Sequence, residues 1–149
     1  MTRIITANDK SILCRLHCRK VQTQANLAGL SEVFAGLESA SILGGNSARA
    51  EAGRFSYWAA EPKEIFTFTS GQTNPFGSLE KALNKYQLRS DCEGILPNEI
   101  FRGGWIGYFS YELGRFIEKL PETTVDDLKM PLIRLCFYDR LIAYDHSEK

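Results

Sequence analysis

The fold of this chain depends most on the stretch Gly103-Gly104-Trp105-Ile106-Gly107-Tyr108-Phe109-Ser110-Tyr111. From Gly104 onward its residues alternate between two largely apolar faces, as side chains do along a β-strand, and this pattern predicts a strand buried on both sides. Glycine weakens a strand because it loses much conformational freedom on ordering and offers no side chain to pack. The three glycines therefore predict that two layers of the fold approach nearly backbone to backbone beside Trp105.

A change of period follows this strand. From Glu112 the apolar residues recur at helical spacing on one face, and these are Leu113, Phe116, Ile117 and Leu120. Pro121 cannot continue a helix, so we expect the helix to end there.

Similar patterns predict the remaining elements. Strands are expected at residues 11–22, 54–60, 64–69, 132–138 and 141–144, and helices begin after caps at Thr23 or Asn26 and at Asn74. Residues 41–53 form a glycine-rich loop in this interpretation. Turns at Glu61-Pro62-Lys63 and at Asp139-Arg140 would make two β-hairpins, each preceded by a helix.

Hairpins join neighbouring antiparallel strands, so this element order predicts an α+β fold and not a doubly wound parallel sheet. Nothing in the composition marks a boundary or linker inside the chain, and we interpret residues 1–149 as a single domain. The last predicted strand is apolar on both faces. An unpaired edge strand of that kind would favour association.

Composition and charge exclude several classes of function. The 18 Lys and Arg residues balance the 18 Asp and Glu residues, so nothing indicates binding to nucleic acid or to an anionic membrane. No apolar run approaches the ~20 residues of a membrane span, and the N-terminus lacks the apolar core of a signal peptide. We therefore expect a cytoplasmic protein.

The four cysteines do not form a metal-binding or disulfide pattern. Cys14 and Cys18 would lie ~13 Å apart along a strand, too far for a disulfide, and His17 would point to the opposite face. Cys92 and Cys136 supply no second ligand pair for zinc. We expect reduced, mostly buried thiols and no metal site.

The central stretch, extended by Glu112, Leu113-Gly114, Arg115 and Glu118-Lys119-Leu120-Pro121, resembles the N-terminal domain of chorismate-utilising enzymes, the family of aminodeoxychorismate synthase and anthranilate synthase component I. Leu113-Gly114 is more similar to the aminodeoxychorismate branch. The resemblance implies two packed antiparallel sheets with helices outside. The alternative is that Gly103, Gly104, Trp105, Gly107 and Tyr111 serve only packing within the domain.

The family's chemistry, amination of chorismate, implies further polypeptide. Ammonia comes from a glutamine amidotransferase subunit, and Mg²⁺ holds the substrate in a C-terminal chorismate-binding half whose motifs do not occur here. The resemblance therefore implies no catalytic residue and no cofactor in this chain. Asp126-Asp127, Glu112 with Glu118, and the two histidines, His17 and His146, offer no convincing catalytic pairing of their own.

The resemblance also implies a tryptophan pocket between the sheets. Its family motif is Leu-Leu-Glu-Ser followed downstream by Arg-Phe or Arg-Tyr, and Leu37-Glu38-Ser39 and Arg54-Phe55 match it, with Gly36 in place of the first leucine. Ser39 would bind the α-amino group, and Arg54 would order the loop over the ligand. The alternative is a strand-end serine and a solvated arginine.

Three functions remain open at this point. The first is the N-terminal domain of an aminodeoxychorismate synthase component I, which serves para-aminobenzoate and folate biosynthesis. The second is the equivalent domain of anthranilate synthase, in tryptophan biosynthesis. The third is an amino-acid-binding module without catalytic activity.

Overall fold

The computed structural model describes residues 11–22, 26–44, 53–89, 96–119 and 128–147. Within them the chain forms eight strands, two α-helices and one 3-10 helix. In order, these elements are β1 (Ile12–Arg15), α1 (Leu27–Ala35), β2 (Ser41–Leu43), β3 (Phe55–Ala59), β4 (Glu64–Phe68), α2 (Pro75–Asn84), β5 (Tyr86–Arg89), β6 (Gly104–Phe109), the 3-10 helix (Tyr111–Phe116), β7 (Ile133–Tyr138) and β8 (Ile142–Asp145).

Two antiparallel three-stranded sheets dominate the fold. The first sheet has the strand order β2-β3-β8 and the second has the order β4-β7-β6. A short parallel pair, β1 with β5, forms a separate sheet that contacts the second one, since Tyr86 of β5 stacks on Phe137 of β7 with ring centroids 3.8 Å apart. The expectation of an α+β fold with antiparallel sheets is confirmed.

The sheets face one another, and the two α-helices pack on their outer sides. Between the sheets, buried Ala59 of β3 clusters with Cys136 and Tyr138 of β7. Outside the first sheet, the indole nitrogen of Trp58 donates a hydrogen bond to the hydroxyl of Ser31 in α1, at 2.9 Å. Outside the second sheet, an apolar cluster contains Phe68, Leu113, Leu132, Ile133 and Leu135, with Leu79 of α2 packed against it. The expected placement of the helices is thus confirmed.

Neither predicted hairpin exists. β3 and β4 flank the predicted turn at residues 61–63, yet they belong to different sheets, and so do β7 and β8. Each turn instead carries the chain from one sheet across to the other. Glu61 adopts a left-handed conformation with φ of 51°. The two crossings lie together, because the amide of Lys63 donates to the carbonyl of Phe137 at 2.9 Å. The predicted pair of β-hairpins is therefore wrong.

Several predicted boundaries also change. The strand expected at residues 11–22 is limited to β1, and part of the loop expected at residues 41–53 forms β2. β5 begins at Tyr86, after the end of α2, where the sequence pattern predicts no strand. Asn26 and Asn74 do cap their helices, since each side chain accepts a hydrogen bond from a backbone amide in the first turn. The predictions for Thr23, Cys92, Leu120, Pro121 and residues 126–127 lie outside the described residues.

β6 is an edge strand of the second sheet, and it is less buried than its apolar pattern predicts. Phe109 is 55% exposed, and Tyr111, which lies in the 3-10 helix, is 83% exposed. The α-helix expected after it is a six-residue 3-10 helix, in which Leu113 is the buried residue. No described helix has the length and apolar character that a membrane span requires.

Close backbone approach does occur at Gly107, but within one sheet. A Cβ atom at this position would lie 1.9 Å from the carbonyl oxygen of Arg134 and 2.8 Å from the Cα of Leu135, both in the neighbouring strand β7. Only a residue without a side chain fits this contact between the paired strands β6 and β7. The predicted approach of two layers is therefore corrected to an approach of two neighbouring strands.

Candidate functional site

A cleft of about 160 Å³ opens between the two sheets. Its polar wall is formed by Ser39 and Ser41 from the first sheet and the loop before it, and by Tyr108, Arg134 and Tyr138 from the second sheet. An apolar cavity of about 150 Å³ is large enough for benzene, so this cleft has room for a small organic molecule.

Strand pairing places the second sheet's side chains in the cleft. Tyr108 of β6 and Arg134 of β7 are directly opposite partners, so their side chains project from the same face of the sheet. Tyr138 lies four positions after Arg134 in the same strand and shares that face. The alternation along β6 and β7 thus gathers a guanidinium and two phenols on the side that faces the first sheet.

Ser39 lines the cleft and has an unusual backbone conformation. Its φ is 47°, in the left-handed region that costs a residue with a side chain about 1–3 kcal/mol. Two hydrogen bonds hold this turn in place. The hydroxyl of Tyr138 donates to the carbonyl of Ser39, and the amide of Glu61 donates to the carbonyl of Glu38 at 2.9 Å.

Arg134 contacts Ser39 directly. Its Nη2 donates to the Ser39 hydroxyl at 3.2 Å, and the side chain is half-buried. Among the residues that the structure describes, no carboxylate lies within ion-pair distance of this guanidinium. Arginine has five N–H donors arranged to match a carboxylate, so Arg134 leaves most of its hydrogen-bonding capacity available.

The two phenols differ in how they are satisfied. The Tyr138 hydroxyl donates a hydrogen bond to the Ser39 carbonyl and accepts one of 2.9 Å from the Ser41 hydroxyl, and burial raises the pKa of this phenol. The Tyr108 hydroxyl is buried and has no hydrogen-bond partner in the described part of the chain. A buried hydroxyl without a partner costs about 1–3 kcal/mol, which favours a site where a ligand or water completes the bond.

Arg54 and Phe55, which the family motif groups with Ser39, lie elsewhere. Ala59 pairs with Ser41 beside the cleft, and Arg54 is five residues earlier along the same strand direction, about 16 Å away. Its Nη2 binds Asp145 of β8 at 2.7 Å, and its guanidinium also lies over the Phe55 ring. Arg54 therefore ties β3 to β8 at the opposite end of the first sheet.

The packing residues of the central stretch occupy several environments. Gly103 and Gly104 have positive φ values of 100° and 129° at the start of β6. Trp105 packs edge-on against Phe137, with ring centroids 5.3 Å apart, and Gly107 lines the cleft. Tyr111 lies in solvent, which leaves it little packing area.

A second, smaller cavity of about 100 Å³ lies beneath α1 and is lined partly by Ser56 and Trp58. The Ser56 hydroxyl is 2.7 Å from Nε2 of His146, a contact that sequence spacing does not reveal. No carboxylate in the described residues hydrogen-bonds to this histidine, so the pair lacks the third member of a catalytic triad.

The described cysteines are reduced, and they take no part in a metal-binding cluster. Cys14, Cys18 and Cys136 are free thiols; Cys136 is buried, Cys14 is partly exposed and Cys18 is exposed, so the expectation of mostly buried cysteines is wrong for the described residues. Within the described ranges, no three His, Cys, Asp or Glu side chains cluster in a way that would hold a metal ion. The chemistry present in the cleft is that of binding a small polar or anionic molecule.

Comparison with known proteins identifies the family. The model of the chorismate binding enzyme family matches residues 46–149, more than half of the chain. An anthranilate synthase alpha subunit 2 from Arabidopsis thaliana is 47% identical over 55 residues, which cover 34% of this chain and 9% of that protein.

Two bacterial relatives match longer segments. Aminodeoxychorismate synthase component 1 of Escherichia coli K12 is 33% identical over 79 residues, covering 53% of this chain and 17% of that protein. Anthranilate synthase component 1 of Acetivibrio thermocellus is 44% identical over 77 residues, which cover 51% of this chain and 15% of that protein. The matched segment is less than a fifth of each relative's length. Together, the family match and the resemblance of the central stretch show that this chain belongs to the chorismate binding enzyme family.

Proposed function

We propose that this chain acts as the N-terminal domain of an aminodeoxychorismate synthase component I. In this role it supports the amination of chorismate to 4-amino-4-deoxychorismate, a cytoplasmic step towards para-aminobenzoate and folate. A chorismate-binding half supplies the catalytic residues and the Mg²⁺ site, and a glutamine amidotransferase subunit supplies ammonia. The observation that carries the proposal is the family match over residues 46–149 on a sandwich of two antiparallel sheets.

The branch assignment rests on the segment after β6. Leu113-Gly114 is similar to the aminodeoxychorismate branch, and Leu113 is the buried residue of the 3-10 helix. The Escherichia coli relative is a member of that branch by name.

Anthranilate synthase is the second candidate, and a specific observation favours it. The anthranilate synthases of Arabidopsis thaliana and Acetivibrio thermocellus are 47% and 44% identical over their matched segments, compared with 33% for the aminodeoxychorismate synthase.

The cleft at Ser39 belongs to the proposed function as an amino-acid pocket. It lies between the sheets, and its serine hydroxyl and arginine offer partners for a zwitterion. Tryptophan is the ligand that the family resemblance implies. The same pocket also supports the third candidate, a binding module that acts without catalysis.

Complementation tests the proposal and separates the branches. The chain is produced together with the C-terminal half of Escherichia coli aminodeoxychorismate synthase component 1, and chorismate and ammonium are supplied. We expect 4-amino-4-deoxychorismate above the level of the C-terminal half alone. A parallel assay uses the C-terminal half of an anthranilate synthase. If the chain stimulates anthranilate formation by that half and does not stimulate the first partner, it belongs to the anthranilate branch.

A pair of glycine variants controls for correct folding. Gly71→Ala adds a methyl group with no atom within 4 Å and should complement fully, whereas Gly107→Ala introduces the clash with β7 and should not. No stimulation by the wild-type chain with either partner would contradict a role in chorismate amination.

A further inference from the structure

We propose that Arg134 is the carboxylate-binding residue of the inter-sheet cleft, and that its guanidinium pairs with the carboxylate of the amino acid bound there. The inference rests on the amino-acid pocket of the proposed function. It adds the residue that would select ligands with a carboxylate group. Neither the family motif nor the sequence pattern assigns Arg134 a role.

The first argument is the electrostatic state of Arg134. The guanidinium is half-buried, and its hydrogen-bond partner in the cleft is the neutral hydroxyl of Ser39. Removing a positive charge from water is costly unless an anion or several hydrogen bonds compensate for it. A bound carboxylate would supply both the opposite charge and two acceptor oxygens.

The second argument is the arrangement of polar groups around that charge. Tyr108 stands directly opposite Arg134 in the β6–β7 register, and its hydroxyl is the buried group without a partner among the described residues. The Ser39 hydroxyl completes the set and accepts from Arg134. The donors of Arg134 and Tyr108 on the wall of the second sheet match an anionic group, while the Ser39 hydroxyl on the facing side provides an acceptor for an ammonium group.

The third argument is size. The cleft holds about 160 Å³, close to the ~150 Å³ of a cavity that accommodates one benzene ring. A carboxylate, an α-amino group and a short side chain fit within it, and a large side chain such as indole would extend from the open mouth.

Titration calorimetry on the 149-residue chain tests the inference. The probes are L-alanine and L-tryptophan, with propionate, which lacks the amine, and tryptamine, which lacks the carboxylate. We expect both amino acids to bind and tryptamine to bind at least about tenfold more weakly than tryptophan, as one lost charge-assisted hydrogen bond predicts.

Two arginine variants form the matched comparison. Arg134→Gln should weaken amino-acid binding about 10- to 100-fold and leave tryptamine binding unchanged. Arg54→Gln removes the same charge about 16 Å along the first sheet and should change affinity less than about twofold. Equal losses in the two variants, or no loss in Arg134→Gln, would overturn the assignment of Arg134.

Further variants keep the test decisive if Arg134→Gln does not fold. Arg134→Lys keeps the charge but not the two-pronged geometry, and it should bind with intermediate affinity. Tyr108→Phe removes the unpartnered hydroxyl, so it should weaken binding without lowering the melting temperature. Unchanged binding in both variants would refute the proposed site.

The outcome is separable from that of the complementation assay. If the chain supports chorismate amination but binds none of the carboxylate probes, the inference about Arg134 fails and the proposed function stands. If amino acids bind through Arg134 but no amination is supported, the inference stands and the chain is a binding module.

Discussion

Nη2 of Arg134 lies 3.2 Å from the hydroxyl oxygen of Ser39, although 95 residues separate them in the sequence. This contact joins the two sheets across the cleft, because Arg134 belongs to β7 and Ser39 immediately precedes β2. It also gives Ser39 a different arginine partner from the one that the family motif suggests. Arg54 makes its ion pair with Asp145 instead.

The Arg54–Asp145 pair should stabilise the edge of the first sheet in a pH-dependent way. Hydrogen bonds from Arg54, and then from Ser147, hold the pKa of Asp145 well below its usual range. Asp145→Asn should lower the free energy of unfolding by about 1 kcal/mol at neutral pH, because the arginine is partly exposed and solvent screens the pair.

The sign of the pH dependence follows from the lowered pKa. The stabilisation is complete above the ordinary aspartate value near ~4 and declines as the pH falls below it towards the folded-state value. Urea unfolding of the wild type and of Asp145→Asn between pH 3 and pH 8 measures this difference. A difference in unfolding free energy between wild type and variant that stays constant down to pH 3 would contradict the prediction.

Tyr86 should contribute stability that is lost as the pH rises, whereas the contribution of Asp145 is lost as the pH falls. Its hydroxyl donates to Glu64 at 2.7 Å, and this hydrogen bond is the main reason why the pKa of Tyr86 is raised to about 12. The unfolded chain loses the proton near ~10, so the stabilisation is complete below that pH and disappears as the pH rises towards 12.

Tyr86→Phe isolates this contribution. The difference in unfolding free energy between wild type and variant should be constant from pH 7 to pH 9 and should shrink above pH 10. Tyr111→Phe is the matched control, since Tyr111 is 83% exposed and its hydroxyl should matter by less than about 0.5 kcal/mol. A wild-type advantage that grows above pH 10 would refute the assigned hydrogen bond.

Local sequence signals are sufficient to predict α1, α2 and most strands. Asn26 and Asn74 are predictable caps because their side chains satisfy amides in the first turn of the following helix. β6 is predictable from its alternating apolar residues. These signals depend on neighbours in sequence, so they do not require knowledge of the tertiary structure.

Sheet membership was not predictable from the same signals. Strands β3 and β4 are joined by Glu61-Pro62-Lys63, which suits a hairpin as well as a crossing between sheets. The outcome depends on pairing with distant partners, since β3 pairs with β8 and β4 with β7. The contact of Arg134 with Ser39 is not predictable from local signals either, because it exists only after those pairings form.

The hydrogen bond between Trp58 and Ser31 should contribute to the attachment of α1. The indole ring is buried, and its N–H donates to the Ser31 hydroxyl at 2.9 Å. Ser31→Ala would leave this buried donor without its partner and should cost about 1–2 kcal/mol. Ser78→Ala in α2 is the control, because Ser78 makes no side-chain hydrogen bond with a described residue. Equal melting temperatures of the two variants would contradict the prediction.

Gly107 should be the least replaceable glycine in the described part of β6. A methyl group there would lie 1.9 Å from the carbonyl oxygen of Arg134, and this backbone atom cannot move without breaking the pairing of β6 with β7. We expect Gly107→Ala to lower the free energy of unfolding by about 3 kcal/mol, at the upper end of the usual cost of overpacking.

The matched control for Gly107→Ala is Gly71→Ala, where the added methyl group meets no atom within 4 Å and the backbone is not left-handed. That variant should remain within about 1 kcal/mol of the wild type. Urea unfolding followed by circular dichroism compares the two. If Gly107→Ala proves as stable as Gly71→Ala, the strands β6 and β7 do not approach as closely as described. The wall that carries Tyr108 and Arg134 would then be placed incorrectly.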